Sequence, residues 1–166
     1  MFVQVTRPAQ VEALAGLARA IWLEYFTPLL GAETAAHLVQ TQQSAAAIAA
    51  QLAQGYRYDF VQPAGSPIGY LGVQPRPEAG HLFLSKFYLC AHARGQGYAR
   101  GMLAHVEALA RARTLPVIVL TVYPGNAHAI AVYERMGFRC TGHLHRNIGG
   151  WEIDDVVMEK RLAGAR

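Results

Sequence analysis

Charge is scarce in this chain: only 16% of its 166 residues are Asp, Glu, Lys or Arg, against about a quarter in ordinary soluble domains. With 52% apolar side chains, that balance excludes intrinsic disorder and suits a ligand groove or a homodimer face. Cysteine is scarcer still. Cys90 and Cys140 are too few and too far apart for a disulfide framework or a zinc site, so they read as reduced, buried thiols. No long apolar run escapes interruption. The uncharged stretch 34–56 carries several glutamines, His37 and Ser44, and MFVQVTRPAQ lacks the basic-then-apolar pattern of a leader. The expectation is a protein that does not enter a membrane and works in the cytoplasm. Repeats and linker-like composition are missing too, which predicts one domain over residues 1–166.

Fifteen Lys and Arg face eleven Asp and Glu, for a net charge of +4. The cations gather at 94–113 and 135–146 instead of following one periodic face, which favours a small phosphorylated ligand over nucleic acid.

The apolar rhythm changes along the chain. Residues 2–6 alternate like a strand, and Val11, Leu14, Leu17, Ala18, Ile21, Trp22 and Tyr25 recur at helical spacing until Pro28, which predicts the helix's end. A second helical region starts at Ala32 and is renewed at Ser44, an N-cap, with Gly55 as its stop. The segments 56–62, 67–73 and 81–90 are short, aromatic and β-branched, separated by PAGSP and QPRPEAG, and predict an antiparallel meander. After them come helix 96–112, strand 116–122, helix 126–136, strand 138–146 and strand 151–160. That order requires a crossover connection and a parallel pair. The expected fold is therefore α/β: a mixed, mostly antiparallel sheet with a central parallel strand pair and helices on both faces.

The densest signal is LSKFYLCAHARGQGYARGML, where a strand ends near Leu89, a loop carries Arg94, Gly95 and Gly97, and a helix opens at once. Backbone N–H groups at a helix start lack intrahelical partners and point outward, while the macrodipole adds about half a positive charge there. That is an anion-binding arrangement. A Walker loop would need Gly-Lys-Ser/Thr where Gly101-Met102-Leu103 stands, and a dinucleotide fingerprint would need a glycine where Arg100 stands. Both are excluded.

Arg94-Gly95-Gln96-Gly97-Tyr98-Ala99 resembles the R/Q-x-x-G-x-G/A loop of the GNAT acyltransferase superfamily. Downstream, Asn126-Ala-His-Ala-Ile-Ala-Val-Tyr133-Glu-Arg-Met-Gly137-Phe138 is similar to that superfamily's N-x-x-A-x-x-x-Y-x-x-x-G-F signature, in the expected order and at the expected separation. The resemblance covers about residues 80–160. Upstream, IWLEYF and GYRYDF, with FLSKFYL, resemble a subset some of whose members acetylate polyamines. Many members carry proline at the place of Ala91 and a small aliphatic residue at that of Tyr98.

The resemblance implies that the parallel strand pair is splayed, and it implies an acetyl-CoA-dependent N-acetyltransferase with no metal, taking a coenzyme A thioester and a small amine. Arg94, Gly95, Gln96, Gly97, Tyr98, Ala99 and Arg100 would hold the pyrophosphate. The main chain of Phe87, Tyr88 and Leu89 would bind the pantetheine arm, with the Leu89 N–H polarising the thioester carbonyl. Their side chains read as core. Tyr133 would stabilise the leaving thiolate: a phenol of pKa near ~10 stays protonated at neutral pH and can donate to a thiolate whose acid has pKa near ~8.5. Asn126 caps its helix and is a candidate pantetheine contact. For a base or counter-charge the candidates are Glu24 on the first helix and Glu152, Asp154 and Asp155 on the last strand, where Glu152 and Asp154 share a face opposite Asp155. His143 and His145 share a strand face without a third metal ligand. Two alternatives stand beside this reading: a non-catalytic acyl-CoA sensor, and a transferase acting on a protein amine.

Overall fold

Pro8 at the first helical position has no N–H to leave unpaired, and the Gln10 side chain turns back to accept from the Thr6 and Arg7 N–H groups, both at 3.0 Å. The chain thus enters its longest helix in a computed structural model that describes residues 1–148 and 150–164. In order, the elements are β1 (Phe2–Gln4), α1 (Pro8–Leu30), α2 (Ala32–Gln42), α3 (Ala45–Ala53), β2 (Arg57–Val61), β3 (Gly69–Arg76) and β4 (His81–Leu89), followed by α4 (Tyr98–Arg111), β5 (Val117–Val122), α5 (Ala127–Arg135), β6 (Arg139–Ile148) and β7 (Trp151–Arg161).

Hydrogen bonding orders the strands β1-β2-β3-β4-β5-β7-β6. Pairs β1·β2, β2·β3, β5·β7 and β6·β7 are antiparallel, and β4·β5 is parallel. The mixed, mostly antiparallel α/β fold with one parallel pair is the one expected. The parallel register runs from His81↔Val117 to Phe83↔Val119, while β4 continues to Leu89.

The chain forms two compact units. The first comprises Met1–Val73 and Lys86–Met102, and the second Gln74–Ser85 with the chain from Leu103 onward. In the first, Leu14, Ala18 and Ile21 lie on one stripe of α1 and bury against Tyr58, Phe60 and Tyr70. Phe60 stands opposite Tyr70 in the β2·β3 register, so both rings share a sheet face. In the second, Ile118, Leu120 and Val122 alternate inward on β5, and Leu120 stands opposite the fully buried Met158 of β7.

Four local expectations need correction. Helix α1 continues past Pro28 to Leu30, because a proline in the last turn forfeits a single N–H and the helix closes anyway through Gly31 N–H to the Thr27 carbonyl, 3.0 Å. Strand β3 runs on through Gln74-Pro75-Arg76, where the Arg76 guanidinium lies 4.2 Å above the Phe83 ring and its Nε donates to Gln74, 3.0 Å. The turn is thereby confined to Pro77–Gly80. The cysteines are free, but Cys90 is only half-buried and Cys140 is exposed, next to a register shift in β6 at Cys140/Gly142. Phe87, Tyr88 and Leu89 are half-buried rather than core.

Candidate active site

In the first unit, β4 ends at Leu89, a single 3-10 turn covers Ala91–Ala93, and α4 opens at Tyr98. Gly95 and Gly97 hold φ of +73° and +85°, a region costly for any residue with a Cβ, and a Cβ at either would meet nothing within 4 Å. Gly95, Gln96, Gly97 and Arg100 are exposed, and Tyr98 and Ala99 half-buried. The loop is braced from within: Arg94 N–H donates to Ala91 O (3.2 Å), Gln96 Nε2 to His92 O (2.6 Å) and Arg100 N–H to Gly97 O (3.2 Å). The outcome is an internally braced, solvent-facing turn at the positive end of a 14-residue helix.

The strand feeding this loop keeps one edge for its neighbour. Cys90 N–H donates to the Ile68 carbonyl at 2.9 Å. Successive residues of a strand send their main-chain groups to opposite edges, so the N–H and C=O of Leu89 point away from β3. The Leu89 carbonyl is taken by Arg94 Nε at 3.0 Å. The remaining Arg94 contacts run to Glu24 of α1: Nη1 to Oε1 at 3.1 Å and Nη2 to Oε2 at 2.6 Å. The guanidinium also lies 4.9 Å from the Tyr25 ring centre. Two residues assigned separate roles from sequence, Arg94 for phosphate and Glu24 for proton or charge, are therefore partners.

Behind this edge is an aromatic wall that the sequence reading did not assemble. Tyr88 meets Trp22, Phe26 and Tyr70 with ring centres 5.7, 6.1 and 5.4 Å away. Burial pushes the Tyr70 phenol well above its ordinary range, with nearby Tyr88 and Tyr58 adding to the shift, and its O–H donates to Gln43 at 2.9 Å. Tyr58 likewise donates to Gln51. Lys86 is buried at 8% exposure on the same phase as Tyr88. Its stem fits because Gly72 lacks a side chain: a Cβ there would come 2.9 Å from Lys86 Cγ and 2.8 Å from the Tyr58 ring. The available signal was the period-two series Leu82, Leu84, Lys86, Tyr88, which puts a cation in an inward phase.

In the second unit, Asn126 caps α5, its Oδ1 accepting from Ala129 N–H at 3.3 Å. Tyr133 is half-buried on α5, its ring edge-on to Phe138 at 5.7 Å. On β7, Glu152 and Asp154 are exposed and face His145 (2.5 Å) and His143 (3.9 Å), while Asp155 is buried against Arg146. The alternation read from sequence holds. Among the described residues no group of three or more His, Cys, Asp or Glu could hold a metal, and no helix is long and apolar enough to cross a membrane.

A glycine loop thus leads from a strand end into a helix, and a capped helix carrying Tyr133 follows it along the chain. Residues 17–138 match the Acetyltransferase (GNAT) family, and the chain belongs to it. Among curated proteins it is 35% identical over 84 residues to a probable spermine N(1)-acetyltransferase of Bacillus subtilis subsp. natto, 50% of this chain and 51% of that one. The chain thus spans about half the length of the curated relatives it matches. Among solved structures, PaiA N-acetyltransferase of Thermoplasma acidophilum in complex with coenzyme A superposes with a TM-score of 0.76 at 16% identity, covering 98% and 99% of the two chains. Ribosomal-protein-alanine N-acetyltransferase of Brucella melitensis gives 0.63 at 26% identity over 98% and 99%.

Proposed function

We propose that residues 1–166 act as one acetyl-CoA-dependent N-acetyltransferase domain that passes an acetyl group to a primary amine by direct attack on the thioester. The observation that carries this reading is the exposed Gly95/Gly97 turn at the head of α4, directly after a strand end whose Leu89 groups face away from β3. The N–H groups of residues 95–99 take the pyrophosphate. The main chain of Phe87 and Leu89 holds the pantetheine arm, Tyr88 turning its own main-chain groups toward β3, and the Leu89 N–H donates to the thioester oxygen as negative charge develops there. The amine lone pair forms the new C–N bond, the C–S bond breaks, and the electron pair leaves on sulfur. Tyr133 O–H hydrogen-bonds that thiolate, which takes a proton from water to end as the free thiol, while the proton lost by the attacking nitrogen passes to water. Asn126 orders the start of the helix that carries Tyr133 and contacts the arm.

The acceptor in this proposal is a small cationic amine or polyamine. Support comes from two curated relatives that carry spermine in their names, and from the exposed Glu152 and Asp154 on β7. An amine of pKa near ~10 reacts only as its neutral form, so the rate rises with pH between about 6 and 9. A cytoplasmic location and a homodimer complete the proposal, the latter checked by light scattering. The deciding experiment is thiol release from acetyl-CoA with a panel of mono-, di- and polyamines. Turnover with polyamines supports the reading, and stabilisation by acetyl-CoA without turnover of any amine turns the chain into a sensor. A second reading, transfer to a protein amine, draws on the likeness to the Brucella protein and predicts turnover of an N-terminal alanine peptide ahead of every polyamine.

A further inference from the structure

We infer that Arg94 is a positioning residue for the edge of β4 and is held in that role by Glu24, rather than being a ligand of the coenzyme's phosphates or, for Glu24, a proton acceptor. The inference rests on the proposed placing of the thioester carbonyl at the Leu89 N–H.

A guanidinium carries five N–H donors in one plane. Three are committed here, one from each nitrogen: Nε to the Leu89 carbonyl, Nη1 and Nη2 to the two oxygens of Glu24. Its plane is further fixed by the Tyr25 ring. To reach a phosphate in the loop the side chain would have to abandon a forked, charge-assisted pairing and leave the Leu89 carbonyl behind. Glu24, for its part, has both oxygens engaged.

The same contacts act on the peptide that matters. In the Leu89–Cys90 peptide the carbonyl is held by Arg94 and the N–H by Ile68. With that plane pinned at both ends, rotation about Leu89 is restricted and its own N–H is aimed in one direction. A donor that polarises a carbonyl works only within a narrow range of distance and angle. Both partners are partly exposed, 31% for Arg94 and 49% for Glu24, so the pair contributes little to stability. Its effect is orientation.

The test reads binding and polarisation separately and needs no acceptor. Dissociation constants for coenzyme A are measured by titration, and the carbonyl stretch of bound carbonyl-¹³C acetyl-CoA by difference infrared spectroscopy. In the parent protein the stretch moves to lower frequency on binding. Arg94→Ala is expected to lose much of that displacement while the dissociation constant stays within about twofold. Glu24→Gln gives a smaller loss in the same direction, and Arg94→Gln, which keeps one donor for the Leu89 carbonyl, restores part of it. A rise of about tenfold or more in the Arg94→Ala dissociation constant with an unchanged stretch would make Arg94 a phosphate ligand and overturn the inference. An unchanged stretch and affinity together overturn it as well. If the parent binds acetyl-CoA but shows no displacement, the fault lies in the Leu89 assignment beneath it.

Discussion

Lys160 Nζ sits 2.8 Å from Glu107 Oε1 and, at 2.7 Å, also donates to the Met136 carbonyl, so one ammonium ties the last strand to α4 and to the end of α5. Arg111 adds a second cation, 3.2 Å from Glu107 Oε2. Burial pushes the Glu107 carboxyl up, yet its bonds and charge pairing with Lys160 and Arg111 prevail and hold it below its ordinary value of 4.5. A carboxyl depressed by folding stabilises fully above its unfolded pKa, and that stability is lost as pH falls through the lower folded value. Thermal melts between about pH 3 and 7 should therefore show stability falling toward acid, to a lesser extent in Glu107→Gln. Lys160→Met should cost about 1–3 kcal/mol at neutral pH, since it leaves the Met136 carbonyl without its donor and Glu107 with Arg111 alone.

Gly97→Val tests the loop. Its backbone at φ +85° penalises a side chain by about 1–2 kcal/mol, which lowers the melting temperature modestly. The sharper expectation concerns ligand: the parent gains about 2.7 kcal/mol from acetyl-CoA at ~100 times its dissociation constant, and the variant gains nothing, because the isopropyl group fills the open space beside the loop. A folded variant that binds as tightly as the parent removes the pyrophosphate from this turn.

Tyr133→Phe keeps the edge contact with Phe138 and deletes only the phenolic oxygen. Turnover should fall roughly ten- to a thousandfold with little change in acetyl-CoA affinity, as when a bond made mainly in the transition state is lost. Equal steady-state rates would leave Tyr133 as packing on the sheet.

The two thiols should differ in reactivity. Burial raises Cys90 above its ordinary 9.0 despite opposing pulls that include the Arg94 charge, whereas Cys140 is exposed. The thiolate is the reactive form, so iodoacetamide at pH 7.5 should label Cys140 first in a time course followed by mass spectrometry. Cys90→Ala should retain turnover, since direct transfer passes no acyl group through a thiol. Its inactivation would instead point to an acyl-enzyme.

Fold class and motif positions were legible in the sequence because they rest on short-range chemistry. Ser44 accepts from Ala47 N–H as an N-cap should, Gly97 adopts the φ its loop needs, and the period-two stripes of β5 fall in register with β7. Misreadings arose where local rules compete with tertiary packing. Pro28 stops a helix only where further turns depend on its missing N–H. The QPR segment looked like a turn until Arg76 found the face of Phe83. Least legible was the pairing of Glu24 with Arg94, seventy positions apart in the chain, because a salt bridge between elements leaves no periodic trace in either. Lys86 did leave one, as a cation within an inward-facing alternation.

The last residue of β4 and the one that follows it carry neighbouring amides with different fates. The Cys90 amide, bonded to Ile68, surrenders its hydrogen only when the sheet itself opens, whereas the amide of Leu89 lies on the opposite edge and owes its shielding to whatever rests there. Deuterium uptake followed by residue-resolved spectroscopy would therefore register the arrival of a thioester as slowed exchange at one amide and silence at the next.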